Sequence, residues 1–312
     1  MILRLLLRRC VPVLPRLFAV ATLVFFFLHL VPGDPVDVML GESALPADKE
    51  ALRLSLGLDR PVGERYFHYL ASLTRGDLGE SIGLRAPVWR LVASRYPATL
   101  ELAAAAIVIA VSVALPLGII AAARPGSLLD RASMAAALFG ASVPSFALGP
   151  VLIVVFAISL GWAPVSGRGG AAHLALPALT LGVGMAGILS RITRASVLEA
   201  LAGDYIRTAR AKGLGRWRVL TVHALRNALL PVITVISLQL GALLAGTIIT
   251  ETIFAWPGLG RLTVDAIAAR DYPVVQGCIL AIGAGYVVVN TAADLLYALA
   301  DPRIRHEGTR ER

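Results

Sequence analysis

Apolar residues along this chain gather in long blocks instead of alternating with polar ones. The first block runs from about Cys10 to Val31, and five more cover about 98–122, 132–160, 174–192, 228–250 and 274–297. A helix needs roughly 20 apolar residues to cross a bilayer, so the pattern predicts six spans. Residues 32–97 form the one sizeable polar stretch. Within it, Leu52 to Leu58 and Tyr66 to Leu73 have helical apolar spacing, interrupted by Gly57, Pro61 and Gly63, which predicts a small helical cap. The chain thus divides into 1–31 (N-terminus and first span), 32–97 (extracytoplasmic segment), 98–300 (five-helix core, with a cytoplasmic loop at 193–227) and 301–312 (tail).

Composition agrees with the blocks. With 57% apolar and 16% charged residues and a mean hydropathy of +0.76, the chain lies well outside the roughly 45–50% apolar and 25% charged of soluble domains. The first block follows Arg4, Arg8 and Arg9, as a signal peptide would, but it is long and ends in Val31-Pro-Gly-Asp-Pro35 without a small-residue cleavage site. A retained span is the favoured reading.

The net charge of +9 changes meaning once it is sorted by segment. With the N-terminus inside, the inner segments carry 18 basic and six acidic residues, the outer ones 11 and 12. Positive charge marks the cytoplasmic side, so both termini are expected there. Basic stripes with interleaved aromatics are missing, which argues against nucleic acid. Cys10 and Cys278 lie in apolar runs without metal or disulfide spacing, and read as core filler.

Two catalytic signatures are missing as well: there is no HExxH and no GxxxxGK[ST]. A GxGxxG string at Gly182, Gly184 and Gly187 sits inside an apolar block without a preceding strand. It reads as close helix packing, not dinucleotide binding. Gly241 and Ala245, Ala242 and Gly246, and Gly283 are further small-residue packing positions. His29, His68, His173, His223 and His306 are scattered, so no metal site and no cofactor are expected. Ionisable groups in spans are often functional. Here Asn290 and Asp294 share a helical face near the inner end of the last span, where Asp294 is expected to pair with Arg191 or Arg194. Glu101, near the outer end of the second span, has a similar structural reading. Mid-membrane acids for an ion-coupled pump are missing.

The most informative stretch runs from Arg191 to Pro231. Asp204 can cap a helix over Tyr205 to Lys212, which Gly213 and Gly215 end. A second helix begins near Arg216, with Trp217, Leu220, Thr221, Ala224 and Leu225 on one face, and Pro231 opens the fifth span. This is a helix-turn-helix elbow. Physics leaves two readings open: a projection that docks into a groove on a soluble partner, or a basic helix lying on anionic headgroups.

Tyr205-Ile-Arg-Thr-Ala-Arg-Ala-Lys-Gly-Leu214 and His223-Ala-Leu-Arg-Asn-Ala-Leu-Leu-Pro231 resemble the ATPase-coupling loop of binding-protein-dependent ABC importers, in the peptide/nickel permease form. Val31–Pro35, Leu56–Pro61, Arg75–Gly79, Pro97–Leu102, Glu251–Arg261, Arg270–Pro273 and Asp301–Arg305 carry the same resemblance over nearly the whole chain. The general coupling motif Glu-Ala-Ala-x-x-x-Gly is met in part, by Arg207, Thr208, Ala209 and Gly213. The resemblance implies an all-α type I permease with six transmembrane helices. It also implies that Tyr205, Arg207, Thr208, Ala209, Arg210, Lys212, Gly213 and Leu214 contact an ATPase. Glu251, Phe254, Trp256, Pro257, Gly258, Asp271 and Tyr272 would form an outer gate or docking surface. The implied partners are a second homologous permease, two cytoplasmic ATPases that hold the ATP and Mg, and an external solute-binding protein. Peptides are the expected solute, slightly ahead of nickel chelates. Two other classes remain: a membrane enzyme using Asp34, Asp37, Asp77 and Glu80 of the outer segment, and a passive membrane anchor.

Overall fold

A computed structural model describes residues 13–30, 35–40, 44–55 and 57–300. Val31 to Asp34, Leu56 and the 301–312 tail lie outside the described residues, as do Cys10 and the side chains of His29, Ala245, Gly246 and Asp294. The expected pairing of Asp294 with an arginine therefore falls outside the description. Apart from one antiparallel bridge between Glu80 and Pro87, the described regular structure is helical.

The described residues of Met1–Thr99 and Pro257–Val287 form one compact unit, and those of Leu100–Trp256 and Val288–Arg312 a second. The first contains α1 (Val13–Leu30), α2 (Pro35–Leu40), α3 (Pro46–Ser55) and α4 (Val62–Thr74). Gly63 lies inside α4, so it does not interrupt the helix as expected; one glycine in a first turn costs only about 1 kcal/mol. Two of the four candidate enzyme acids have structural partners: Asp37 pairs with Lys49 at 2.8 Å, and Asp77 accepts the Gly79 N–H at 2.8 Å. Tyr66 joins α4 to α1 through a 2.8 Å hydroxyl contact with Thr22, and the Tyr69 ring stacks on Phe25 at 5.4 Å.

α5 (Val88–Ala123) begins ten residues before the expected second span. Its first turns join α12 (Leu259–Ala268) and α13 (Tyr272–Ala300) in a core of Val88, Val92, Leu259, Val274, Val275 and Cys278. The fully buried Cys278 is core filler, as expected. Gly283 of α13 would place a Cβ 3.2 Å from Val20 Cγ1, so small size there sets the packing on α1.

The second unit is built around α8 (Ala171–Ala202), which packs mainly on α6 (Leu128–Ser142) and α11 (Leu225–Ile253). Helices in lipid associate by close packing, since no hydrophobic effect separates them from the tails. The glycine string does this: a Cβ on Gly182 would lie 2.9 Å from Ile109 Cγ2 of α5, and one on Gly187 would collide with Ala137 O of α6.

The expected third span is broken. α6 and the helix that starts with α7 (Ser145–Leu152) and continues as a π-helix over Ile153–Ser159 are bent by 100° to each other. Val143 is extended at φ −82°, ψ 117°, as the residue before a proline prefers, and Pro144 opens the next helix. Among the described residues, four helices are long and apolar enough to cross a membrane, or five if the bent pair is one span; Val13–Phe27 is a shorter apolar helix. Pro231 does not open a span. It lies inside α11, and the apolar stretch is continuous from Arg216 to Leu243.

Two predictions test this packing. Gly187→Ala should destabilise the chain by about 1–3 kcal/mol through overpacking, whereas Gly184→Ala, whose Cβ would meet only Gly140 O at 3.9 Å, should change thermal unfolding in detergent little. Burial pushes the Tyr69 phenol up to about 12. A raised acid pKa contributes stability that is complete below the unfolded value near 10 and lost as pH rises through about 12. Tyr69→Phe should abolish that alkaline step in a fluorescence-monitored pH titration.

Candidate functional site

The elbow is more tightly built than its sequence suggests. α8 does not stop with the apolar block near Ile192 but runs unbroken to Ala202, so Arg191 and Arg194 sit on a helix and not in a loop. α9 (Asp204–Ala211) follows after Gly203, then the short α10 (Arg216–Arg218), a π-helical turn over Val219–Ala224, and α11. Gly203 is the N-cap of α9, and no side chain caps it. Asp204 is therefore not the expected cap but the first helical residue, where its charge complements the helix dipole. It faces Arg207 at 3.4 Å across an exposed surface.

α9 turns Ile206 and Ala209 inward onto Val219 and Ala224, with Leu201 and Leu214 beside them. This apolar base leaves Tyr205, Arg207, Thr208, Arg210 and Lys212 exposed, while Ala209 is buried and Leu214 half-buried. Gly213 ends the helix at φ +78° with open space around it, and its N–H donates to Arg210 O at 2.9 Å. A side chain there would be strained by its backbone, at about 1–2 kcal/mol, and not by crowding. The expected apolar face of the second arm is corrected. Leu220 and Ala224 are buried and Leu225 half-buried, but Trp217 is 65% exposed and Thr221 is exposed too, while Val219 takes the inner position. The wider π-turn rotates the sequence relative to an α-helical wheel.

An ion pair that sequence reasoning missed ties α8, the helix that leads into the elbow, to α6. Arg194 Nε and Nη2 donate to Asp130 Oδ1 at 2.6 Å and Oδ2 at 2.8 Å. Asp130, 3% exposed, also accepts the Gly126 N–H at 2.8 Å, and its own N–H donates to Ser127 Oγ at 3.2 Å. The pair clasps the start of α6 to α8 two turns before Ala202. The Ser127-Leu-Leu-Asp130 spacing is a capping-box signal at a helix start, and it marks Asp130 in the sequence.

The outer residues divide between the two units. In the second unit, Glu251, Phe254 and Trp256 are buried. Phe254 packs with Leu152 and Leu176, its carbonyl accepts the Gly167 N–H at 2.9 Å, and Trp256 N–H donates to Glu251 O at 2.8 Å. Arg168 ties this turn down: it donates to Glu101 Oε2 through Nε at 2.9 Å and Nη2 at 2.5 Å, and it lies over the Trp256 ring at 5.8 Å. The structural reading of Glu101 thus has its partner. In the first unit, Pro257 and Gly258 lead into α12, Tyr272 opens α13, and the buried Asp271 accepts the Ser81 hydroxyl at 2.5 Å and the Gly83 N–H at 3.1 Å. Asn290 is half-buried on α13. No group of three or more metal-binding side chains occurs among the described residues.

Comparison with known proteins agrees with this architecture. Residues 114–306 match the family described as binding-protein-dependent transport system inner membrane component, and residues 2–103 match the N-terminal family of the same membrane components. The chain is 44% identical over 337 residues to the dipeptide transport system permease protein DppB of Escherichia coli K12, covering 98% of this chain and 99% of that one. It is 45% identical over 329 residues to the di/tripeptide transport system permease protein DppB of Pseudomonas aeruginosa UCBPP-PA14, covering 96% and 98%. The glutathione transport system permease protein GsiC of Escherichia coli K12 is 44% identical over 301 residues, covering 96% and 98%. Among solved structures, a chain of the inward-facing MetNI methionine ABC transporter superposes with a TM-score of 0.58 at 20% identity, covering 68% of this chain and 96% of that one. That likeness carries the fold alone.

Arg194→Leu should cost about 3–5 kcal/mol by leaving Asp130 buried and unpaired, whereas the Asp130→Leu/Arg194→Leu double variant should recover much of that loss. Thermal unfolding of both variants, compared as a double-mutant cycle, checks this.

Proposed function

The chain belongs to the inner-membrane permease components of binding-protein-dependent transport systems, and on that basis we propose that it carries peptides across the plasma membrane. In this reading it is one of two homologous permeases, served by two cytoplasmic ATPases and an external solute-binding protein. It crosses the membrane six times with both termini inside, counting Val13–Leu30 and the bent pair as spans, and α2 to α4 form the outer cap. ATP and Mg reside on the ATPases, so this chain needs no phosphate loop of its own.

The observation that carries the proposal is the elbow: a polar, exposed tip on a buried apolar base, anchored to α8. Closure of the ATPase dimer would push on Tyr205, Arg207, Thr208, Arg210 and Lys212. The packed base would pass the push to α8 and α11, shifting the pathway between inward- and outward-facing states. Such alternating access needs differential contacts in the two states, and a surface docked to a moving partner supplies them. On the outer side, Glu251, Phe254 and Trp256 in one unit and Pro257, Gly258, Asp271 and Tyr272 in the other would each serve as gate or docking residues. Relatives named for dipeptides, di/tripeptides and glutathione support a peptide solute; nickel is not favoured.

Gly213→Trp should leave the protein in the membrane but abolish solute-stimulated ATP hydrolysis by the reconstituted complex; normal coupling would sink the elbow assignment. Mass spectrometry of the ligand kept by the co-purified solute-binding protein should find short peptides, and a nickel chelate in their place would overturn the substrate.

A further inference from the structure

Behind the elbow lies a cavity of about 330 Å³, at the lower end of the roughly 300–1,000 Å³ usual for small-molecule sites. Its walls are apolar, with Ala123, Leu198, Leu201 and Leu220 among them, and its polar side chains are two guanidiniums, Arg210 of α9 and Arg216 of α10. No acidic side chain lines it. Neither arginine has an ion-pair partner among the described residues. Two cations held at one mouth without a counter-charge call for an anion.

The position of the cavity selects the kind of anion. Ala123 is the last residue of α5, Leu198 and Leu201 belong to the last two turns of α8, and Arg216 begins the candidate span that runs to Leu243. Three candidate spans thus end around one cavity, on the side where the arginine excess is expected to mark the cytoplasm. A carboxylate on a docked protein would need only the two guanidiniums, whereas the apolar walls provide for a ligand with hydrocarbon attached to its charge. Basic pockets between helices on this side suit phospholipid headgroups.

We propose that the cavity holds the headgroup region of an anionic glycerophospholipid of the inner leaflet. Its phosphate lies between Arg210 and Arg216, and the glycerol and first acyl carbons lie against Leu198, Leu201 and Leu220. Because Arg210 and Arg216 stand on opposite sides of the Gly213 turn, the bound phosphate pins the two arms of the elbow together. The site does not depend on which solute is carried.

The test is native mass spectrometry of the intact transporter, titrated with phosphatidylglycerol or with phosphatidylcholine of the same acyl chains. The unaltered chain is expected to keep one phosphatidylglycerol per copy under conditions that strip phosphatidylcholine. Arg210→Gln/Arg216→Gln should weaken this binding about thirtyfold, at about 1 kcal/mol for each basic residue near the headgroups. Ala123→Phe, which fills the cavity and keeps both charges, should also abolish retention, and it carries the comparison if the double variant fails to assemble. Equal retention of the two lipids, or phosphatidylglycerol affinity unchanged in either variant, overturns the proposal. So does displacement by glycerol phosphate alone, which would assign the site to a soluble anion. Loss of ATPase association with unchanged lipid affinity would assign the arginines to a carboxylate on the ATPase and likewise overturn it.

Discussion

One part-buried ion pair ties the helix that carries the elbow to its neighbour. Asp130 and Arg194 meet through two short hydrogen bonds that join the start of α6 to the last third of α8, and a bidentate pair of this kind holds orientation as well as distance. α8 then continues without a break to Ala202. The elbow therefore hangs from a helix held at two places: by the clasp at Arg194, and by the packing of Gly182 and Gly187 against α5 and α6. A lever must be stiff where it is attached. A flexible loop between Arg191 and Pro231 would absorb a push from the ATPase before it reached the spans.

The same economy appears in the elbow itself. Ile206 and Ala209 bury one face of a two-turn helix on Val219 and Ala224, and so short a helix would not persist in water without such support. Packing thus determines which side chains project. Arg207, Thr208 and Lys212 are free to meet a partner because their neighbours in sequence are not. The turn at Phe254 and Trp256 reverses this arrangement: both side chains are buried and Arg168 lies over the Trp256 ring, so neither is displayed on the surface.

Much of this was legible in the residues, and the parts that were not have physical causes. Block hydrophobicity located the membrane helices, and the small side chains at Gly182 and Gly187 announced close packing. Of the prolines, Pro231 misled. Pro144 breaks a continuous apolar block by 100°, whereas Pro231 lies inside an unbroken helix, because a bundle can satisfy a freed carbonyl in one place and not in another. The exposed side of the second arm was misplaced because a π-turn cannot be read from a 3.6-residue wheel, which put Trp217 on the wrong face. The clasp was missed because Asp130 was counted as one charge among a flanking set, although its spacing from Ser127 marked a capped helix start.

The central claim is that the α9 tip is the surface the ATPases grip. Amide hydrogen exchange across residues 203–218, measured with and without bound ATPase subunits, tests it most directly. The account predicts that protection on ATPase binding concentrates in 204–213. Unchanged exchange there, with protection appearing instead around the 124–131 turn, would contradict it.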